Sequence, residues 1–256
     1  MSSKRERRQR EIIARLSEQP GMRVGELSEL LSVTTETIRR DLDDLTRQGL
    51  LNRTYGGAIL TQGGEPALSQ RHALLVAERT AIAQAAAPIL AGANVLMIGS
   101  GATTVHVARR IAMEMSRITV ITHSFGVATV LSFNPTITVL MTPGIYHSGE
   151  GAMHGAQTAR FLQDYRADWA IIGASGLTPD GPSDALIEIA EVYAGMVRQA
   201  GRRMVVADAS KFDKLFTASY ARWSQIDTLV SDRAPKGPLA KALRGSGVEI
   251  SIAKIL

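Results

Sequence analysis

The chain has 256 residues, 45% hydrophobic and 21% charged, with 29 Lys+Arg against 24 Asp+Glu. This is the make-up of a folded globular protein with one large domain or two smaller ones, and its formal net charge of +5 is only a weak pointer to an anionic partner. Without cysteine, disulfides and thiolate metal sites are excluded.

The start, MSSKRERRQR, runs straight into a helical pattern without the apolar stretch of a secretory signal. No apolar run approaches the roughly 18–20 residues of a membrane-spanning helix. A cytoplasmic protein with no membrane partner is expected.

Arg5 to Glu18 reads as a first helix with Ile12, Ile13 and Leu16 inward, ended by Pro20 and Gly21. Val24 to Leu31 reads as a second, with Val24, Leu27, Leu30 and Leu31 as its apolar positions. Ser32 and Val33 make a tight connection to the stretch Thr34 to Leu45, T-T-E-T-I-R-R-D-L-D-D-L. There Ile38, Leu42 and Leu45 fall at i, i+4 and i+7 and line one apolar stripe. Thr35, Thr37, Arg39 and Arg40 fall elsewhere, near the N-terminal end, and Thr34 suits an N-cap because its hydroxyl accepts from a free backbone N–H.

Taken alone, an amphipathic helix with arginines outside is also an ordinary surface helix. The order helix, short turn, helix is nevertheless the helix-turn-helix arrangement, whose second helix enters the DNA major groove. After Gly49, Leu50 to Thr54 reads as a strand, Tyr55-Gly56-Gly57 as a turn and Ala58 to Leu60 as a returning strand. Such a wing would hold Arg53 and Tyr55 against the DNA backbone or minor groove. Double-stranded operator DNA is the expected partner. Thr35, Thr37 and Arg40 are the candidates for base edges at the end capped by Thr34. Arg39, Arg53 and the basic cluster Lys4, Arg5, Arg7, Arg8 and Arg10 are the candidates for phosphates. A homo-oligomer, at least a dimer, would address half-sites about one helical turn or a multiple apart.

The segment V-T-T-E-T-I-R-R-D-L-D-D-L-T-R-Q-G-L-L-N-R-T-Y-G-G-A, Val33 to Ala58, resembles the N-terminal signature of DeoR-family bacterial transcriptional regulators. The resemblance implies an N-terminal winged helix-turn-helix and, behind it, a sugar-phosphate-sensing domain similar to ribose-5-phosphate isomerase. Such proteins are usually repressors of carbohydrate metabolism.

TQGGE, Thr61 to Glu65, has linker composition, which gives a division into residues 1–60, a linker at 61–77 and a second domain at 78–256. In the second domain helical stretches alternate with short apolar runs: Asn94 to Ile98, Ile118 to Thr122, Ile137 to Met141, Trp169 to Gly173, Met204 to Ala207, Thr228 to Val230 and Val248 to Ile252. Val- and Ile-rich runs separated by helices predict a Rossmann-like α/β domain with a mostly parallel sheet covered on both faces.

Ligands of such sheets bind beyond the strand carboxyl ends. Gly99 to Thr104, G-S-G-A-T-T, follows the first run and opens a helix. Glycines there let backbone amides approach an anion, and Thr103 and Thr104 add hydroxyls. Thr122-His123-Ser124, Pro143-Gly144 and Lys211 end three further runs. By resemblance, Gly101, Thr103 and Thr104 match the family's G-T-T-T loop, His123-Ser124 its N-S pair, Gly144 its G-G turn and Ser210-Lys211-Phe212 its S-K-F motif. Gly101, Thr103, Thr104, His123, Ser124, Gly144, His147 and Lys211 are the candidate contacts to a phosphorylated sugar or polyol effector. The sequence departs from the family at Gly99 (often Asp), His123 (Asn), His147 (often Arg) and, by a loose alignment, Tyr193 (Lys), so the ligand's polyol end should be held differently.

The rival class is a phosphosugar isomerase, because G-S-G-A-T-T-V-H resembles that enzyme's G-T-G-S-T-V loop. Isomerisation needs a general base and a cation for the enediolate. The K-G-G-G segment is missing, and Asp180, Asp184, Glu188 and Glu191 read as a turn and a solvated helix face. His147 and His154 lie close in sequence, but no metal-ligand pattern includes them. No catalytic residue, cofactor or metal is expected.

Overall fold

The computed structural model describes residues 4–19, 21–47, 51–54, 56–60 and 68–255. The chain forms two compact units that divide between Arg71 and His72.

In the first unit, helices α1 (Lys4–Glu18), α2 (Val24–Leu30) and α3 (Thr35–Arg47) precede a hairpin of β1 (Leu51–Thr54) and β2 (Gly57–Leu60), followed by the short α4 (Leu68–Arg71). Ile12, Leu16, Val24, Leu27, Ile38, Leu42 and Leu45 share one core with Met22, Leu51 and Ala58. The 3.6-residue period alone placed the helical members of that core. Leu30 is the exception, at 49% exposed. Charge reinforces the packing of α1 on α3. Arg8 grips Asp41 with two guanidinium nitrogens, Nη2–Oδ1 being 3.2 Å. Arg5 pairs with Asp44 and lies 3.8 Å from Asp41. The hydrogen bond to the buried Asp41 carboxylate, foremost, raises the Arg8 pKa above its ordinary value.

The hairpin pairs Thr54 with Gly57. Its turn therefore has two residues, with Gly56 at φ 83°. Tyr55 and Gly49, the glycine expected to end the third helix, lie outside the described residues. The wing leans on the segment before α2: Val24 N–H donates to Gly56 O at 2.9 Å and Ala58 N–H to Met22 O at 3.3 Å. A Cβ on Gly57 would sit 2.3 Å from Met22 O, so close backbone approach requires this glycine.

In the second unit, α5 (Val76–Ala86) leads to β3 (Val95–Ile98), α6 (Ala102–Glu114), β4 (Thr119–Thr122), α7 (Phe125–Leu131) and β5 (Thr138–Met141). The chain continues through β6 (Ile145–His147), β7 (Ala152–His154), α8 (Ala156–Gln163), β8 (Ala167–Ile172), β9 (Gly176–Thr178), β10 (Gly181–Asp184) and α9 (Ile187–Gln199). It ends with β11 (Ala200–Val206), β12 (Ala218–Ser219), β13 (Thr228–Ser231), α10 (Gly237–Gly245) and β14 (Glu249–Ile252).

The seven expected apolar runs form one parallel sheet in the order β14-β13-β11-β8-β3-β4-β5. Alternate residues feed two cores. Leu96, Ile98, Val120 and Ile171 pack beside residues of α5, α6 and α7, whereas Met97, Ile121, Ala170 and Ile172 pack beside residues of α8, α9 and α10. The hairpin β6–β7 and the small antiparallel sheet β12-β10-β9 were not anticipated. Strands such as G-P-S-D have neither the length nor the apolar alternation that marks a strand in sequence.

Two glycines separate crowding from propensity. Gly57→Ala is expected to destabilise the first unit by about 1–3 kcal/mol, because Met22 is backbone and must move. Gly25→Ala, with nothing within 4 Å of the new Cβ on α2, should be neutral or stabilising by up to about 1 kcal/mol. Urea unfolding of the full chain, with both variants beside the parent, measures this order.

Candidate functional site

The N-terminal end of α3 carries the first candidate surface. Thr34 caps the helix, its Oγ1 accepting the Thr37 amide at 3.2 Å and lying 2.9 Å from Thr37 Oγ1. Thr37 is therefore partly committed to the cap, whereas Thr34, Thr35, Arg39 and Arg40 are exposed. Glu36, absent from the sequence-level set, lies between them. Its Oε1 is 3.3 Å from Arg40 Nε and its Oε2 is 4.0 Å from Arg39 Nη1. Arg53 reaches Asp43 at 3.0 Å. With Glu36 and Asp43 each at least 60% exposed on their side chains, such pairs are weak, and a phosphate or base edge exchanges for them at little cost. Arg5 and Arg8 differ, since Arg5 pairs with Asp44 and Arg8 with Asp41, both acids buried on α3. Outward hydroxyls, guanidinium forks and an acceptor at a helix start can make base-edge and phosphate hydrogen bonds in a major groove.

The second surface is the carboxyl edge of the sheet. From β3 the chain proceeds to β4 and β5 on one side, whereas β8, β11, β13 and β14 succeed each other on the other. The order therefore reverses between β3 and β8, which is where open α/β sheets bind ligands. β3 delivers Gly99 to Thr104 there, with the first-turn amides of α6 lacking helical acceptors. Gly101 takes φ 125° before the helix begins.

A closed polar layer supports this loop. The Ser100 N–H donates to His123 Nε2 at 2.9 Å, so the ring's proton sits on Nδ1, which donates to Met153 O at 2.8 Å. Tyr193 OH donates to Ser100 O at 2.7 Å and lies 3.0 Å from Ser100 Oγ. A Cβ on Gly99 would fall 2.7 Å from Tyr193 Cε1, so the glycine leaves the room that the tyrosine ring fills. His123 and Tyr220 meet Tyr193 edge-on, at centroid distances of 5.8 and 5.2 Å. Tyr220 OH donates to Gly173 O at 2.6 Å, and burial raises its pKa well above the ordinary value.

The sequence-level candidates divide accordingly. Gly101, Thr103, Thr104, His123 and Ser124 come together at the ends of β3 and β4. Within that group Thr104 Oγ1 is spent on Gly101 O, Ser124 caps α7 by accepting the Val127 amide, and His123 has both ring nitrogens engaged. Gly144 and His147 follow β5. Lys211 follows β11, beyond β8, and strand spacing alone separates the β5 and β11 ends by roughly 19 Å. One small ligand does not span that distance without movement.

Ser175, Asp184, Tyr193 and Tyr220 were missed as a group. Asp184 is buried rather than on a solvated face, accepting Ser175 Oγ at 3.3 Å and the Leu186 amide at 3.0 Å. Only the β10 fold-back puts it beside the end of β8. The clue available in the sequence was the β8 end itself, Gly173-Ala174-Ser175, the neighbour of β3. The rings of His147 and His154 lie 5.9 Å apart. Among the described residues no group of three or more His, Asp or Glu could hold a metal, and no helix is long and apolar enough to cross a membrane.

Burial, opposed by the Met153 hydrogen bond and aided by the charge of His154, lowers the His123 pKa from 6.5 to about 4. Below pH 6.5 the unfolded chain therefore takes up a proton that the folded chain refuses. Stability from this group is complete above pH 6.5 and is lost as the pH falls towards 4. The expected loss between pH 7 and pH 5 is about 2 kcal/mol. Urea unfolding at the two pH values should show a smaller drop in His123→Asn than in the parent, and an identical drop would remove His123 from this role.

Two family models match the chain. Residues 8–63 match the DeoR-like helix-turn-helix domain and residues 75–233 the DeoR C terminal sensor domain. The HTH-type transcriptional repressor CsqR of Escherichia coli (strain K12) is 31% identical over 94% of this chain and 92% of that protein. The glycerol-3-phosphate regulon repressor of the same organism is 27% identical over 97% and 99%. Ribose 5-phosphate isomerase A from Methanocaldococcus jannaschii superimposes over 52% of this chain and 53% of that one, at 17% identity and a TM-score of 0.35. Winged helix-turn-helix and sensor domain thus occur in the expected order, and the chain belongs to the DeoR family of transcriptional regulators.

Proposed function

We propose that the protein is a sequence-specific DNA-binding repressor of carbohydrate or polyol catabolic genes, released or engaged by a phosphorylated sugar-like effector. The observation that carries this reading is the joining, in one chain, of two helix starts open to anions: the exposed end of α3 and the glycine loop of α6 at the sheet's reversal point. Relatives named as repressors, one of a glycerol-3-phosphate regulon, support the same reading.

Thr35 and Arg40 read base edges, Thr37 assists from the cap, and Arg39 and Arg53 hold phosphates; Tyr55, outside the described residues, is a further candidate for a DNA contact. A dimer or larger homo-oligomer sets two such helices on repeated half-sites. In the second domain the amides of Gly101 to Thr104 receive the phosphate, Thr103 adds a hydroxyl, and Lys211 supplies the cation from across β8. His123 acts from below by holding the loop in place and Ser124 by capping α7, and Gly144 and His147 border the ligand's polyol end once the Lys211 turn has moved in. The effector works through unequal affinity for the DNA-competent and DNA-incompetent states.

The isomerase reading is the weaker one. Tyr193 and Tyr220 line the floor beneath the loop, and the buried Asp184 is bonded to Ser175 and Leu186 rather than presented as a base.

Fluorescence anisotropy with duplexes from the DNA upstream of the gene tests the first half. Arg40→Ala should lose about 1–3 kcal/mol at one base pair and accept other bases there, whereas Arg39→Ala should weaken all sequences alike and reduce the salt slope by about 1. Unchanged operator affinity in Arg40→Ala would remove that residue from the interface. A thermal-shift screen against sugar phosphates and polyol phosphates tests the second half, since a ligand of the native state raises the midpoint by mass action. Turnover of a pentose phosphate at an ordinary enzymatic rate would instead make the protein an enzyme.

A further inference from the structure

The helix that opens the second unit starts at the same edge as the ligand crevice. α5 leads through residues 87–94 to the amino end of β3, so its own first turn lies at the carboxyl edge. Arg79, in that turn, is 3% exposed. Its Nη1 donates to Leu74 O at 2.6 Å, and its Nη2 lies 3.8 Å from Asp208 Oδ2. Leu74 stands three residues beyond the division between the units, and Leu75 is held at φ 50°, a left-handed conformation that costs energy in a branched residue.

Asp208, 1% exposed, follows β11 and governs the turn that carries Lys211. Its Oδ1 accepts the Ser210 amide at 3.1 Å and the Ser210 hydroxyl. Asp232, at the end of β13, takes the Ala209 amide at 2.6 Å. Asp208 Oδ2 faces Arg79 without a hydrogen bond. A buried carboxylate oxygen in that state is costly, and the charge attraction across 3.8 Å gains if either side moves closer.

We infer that Arg79 is a positioning residue that couples the Asp208–Lys211 turn to the segment His72–Leu75, where the chain leaves the sensor unit for the DNA-binding unit. The role in signalling rests on the proposed sensor function; the coupling does not. A ligand phosphate that draws Lys211 shifts the short turn, and with it the Asp208 carboxylate. Arg79 follows the carboxylate and either tightens or releases its grip on the Leu74 carbonyl. The strained Leu75 supplies the alternative backbone state into which the segment relaxes. Because coupling is reciprocal, a change at residues 72–75 must act equally on the Lys211 turn.

Hydrogen exchange on the unliganded full chain tests the coupling. Asp208→Asn, which discharges the carboxylate, and Ser210→Ala, a milder change at an exposed position, should alter exchange of the amides at 72–79 by about two- to thirtyfold. Arg79→Gln should do the same at 209–213, and Arg79→Lys should restore part of the protection. Unaltered exchange at 72–79 in both Asp208→Asn and Ser210→Ala overturns the inference, and so does a change spread evenly over the unit, which marks general destabilisation. The signalling role is read with sn-glycerol 3-phosphate and inorganic phosphate as probes. A probe that shifts both the melting temperature and the operator affinity of the parent should still shift the first in Arg79→Gln but no longer the second; retention of both overturns the role. If no sugar or polyol phosphate acts on the parent, the sensor reading fails, while the exchange result still decides the coupling.

Discussion

The amide of Ser100 donates to a neutral imidazole, and much of the carboxyl edge of the sheet follows from that bond. His123 can accept only while Nε2 is unprotonated, which full burial secures, and its other nitrogen is anchored to the β7 backbone at Met153. The glycine loop is thereby fixed to the end of β4 and to the β6–β7 hairpin at once. Tyr193 completes the support from α9, filling the space left by Gly99 and binding the carbonyl and hydroxyl of Ser100. A loop held from below by three elements is fixed in one conformation, and such preorganisation is what an anion site requires.

This floor is uncharged. The ring of His123 is neutral, Tyr220 is held protonated, and Tyr193 is spent on Ser100. In the proposed site, positive potential towards a ligand would therefore come from backbone amides and from Lys211, on the far side of β8. Such a division favours a ligand with one compact anionic group and an uncharged, hydroxyl-bearing remainder.

The two domains use helix starts in different ways. On α3 the stripe Ile38, Leu42 and Leu45 is fully buried, and Thr35, Arg39 and Arg40, with the cap Thr34, are exposed. On α6 Val105, Val107, Ala108 and Ile111 are buried and so are the first-turn threonines, Thr103 and Thr104. Arg5 and Arg8 show how misleading a charge cluster is in sequence: they lock α1 to α3 through Asp41 and Asp44, acids on the same helix that carries the exposed Arg39 and Arg40.

Local pattern was sufficient for what depends on neighbours in the chain. The 3.6 period marked the three helices and their core, a threonine before a helix marked the cap, and Val- and Ile-rich runs marked all seven parallel strands. The glycine loop was legible because backbone approach to an anion needs small residues in one continuous stretch. What the fold alone decided is what long-range placement creates: the burial of Asp184 by the β10 fold-back, the match of Gly99 to Tyr193 across 94 residues, the commitment of His123 to Ser100 and Met153, and the meeting of Arg79 with Asp208. A side chain's type limits the bonds it can make. Which of them it makes depends on partners that only the folded chain brings within reach, and at the carboxyl edge those partners turned several expected ligand contacts into supports for the loop.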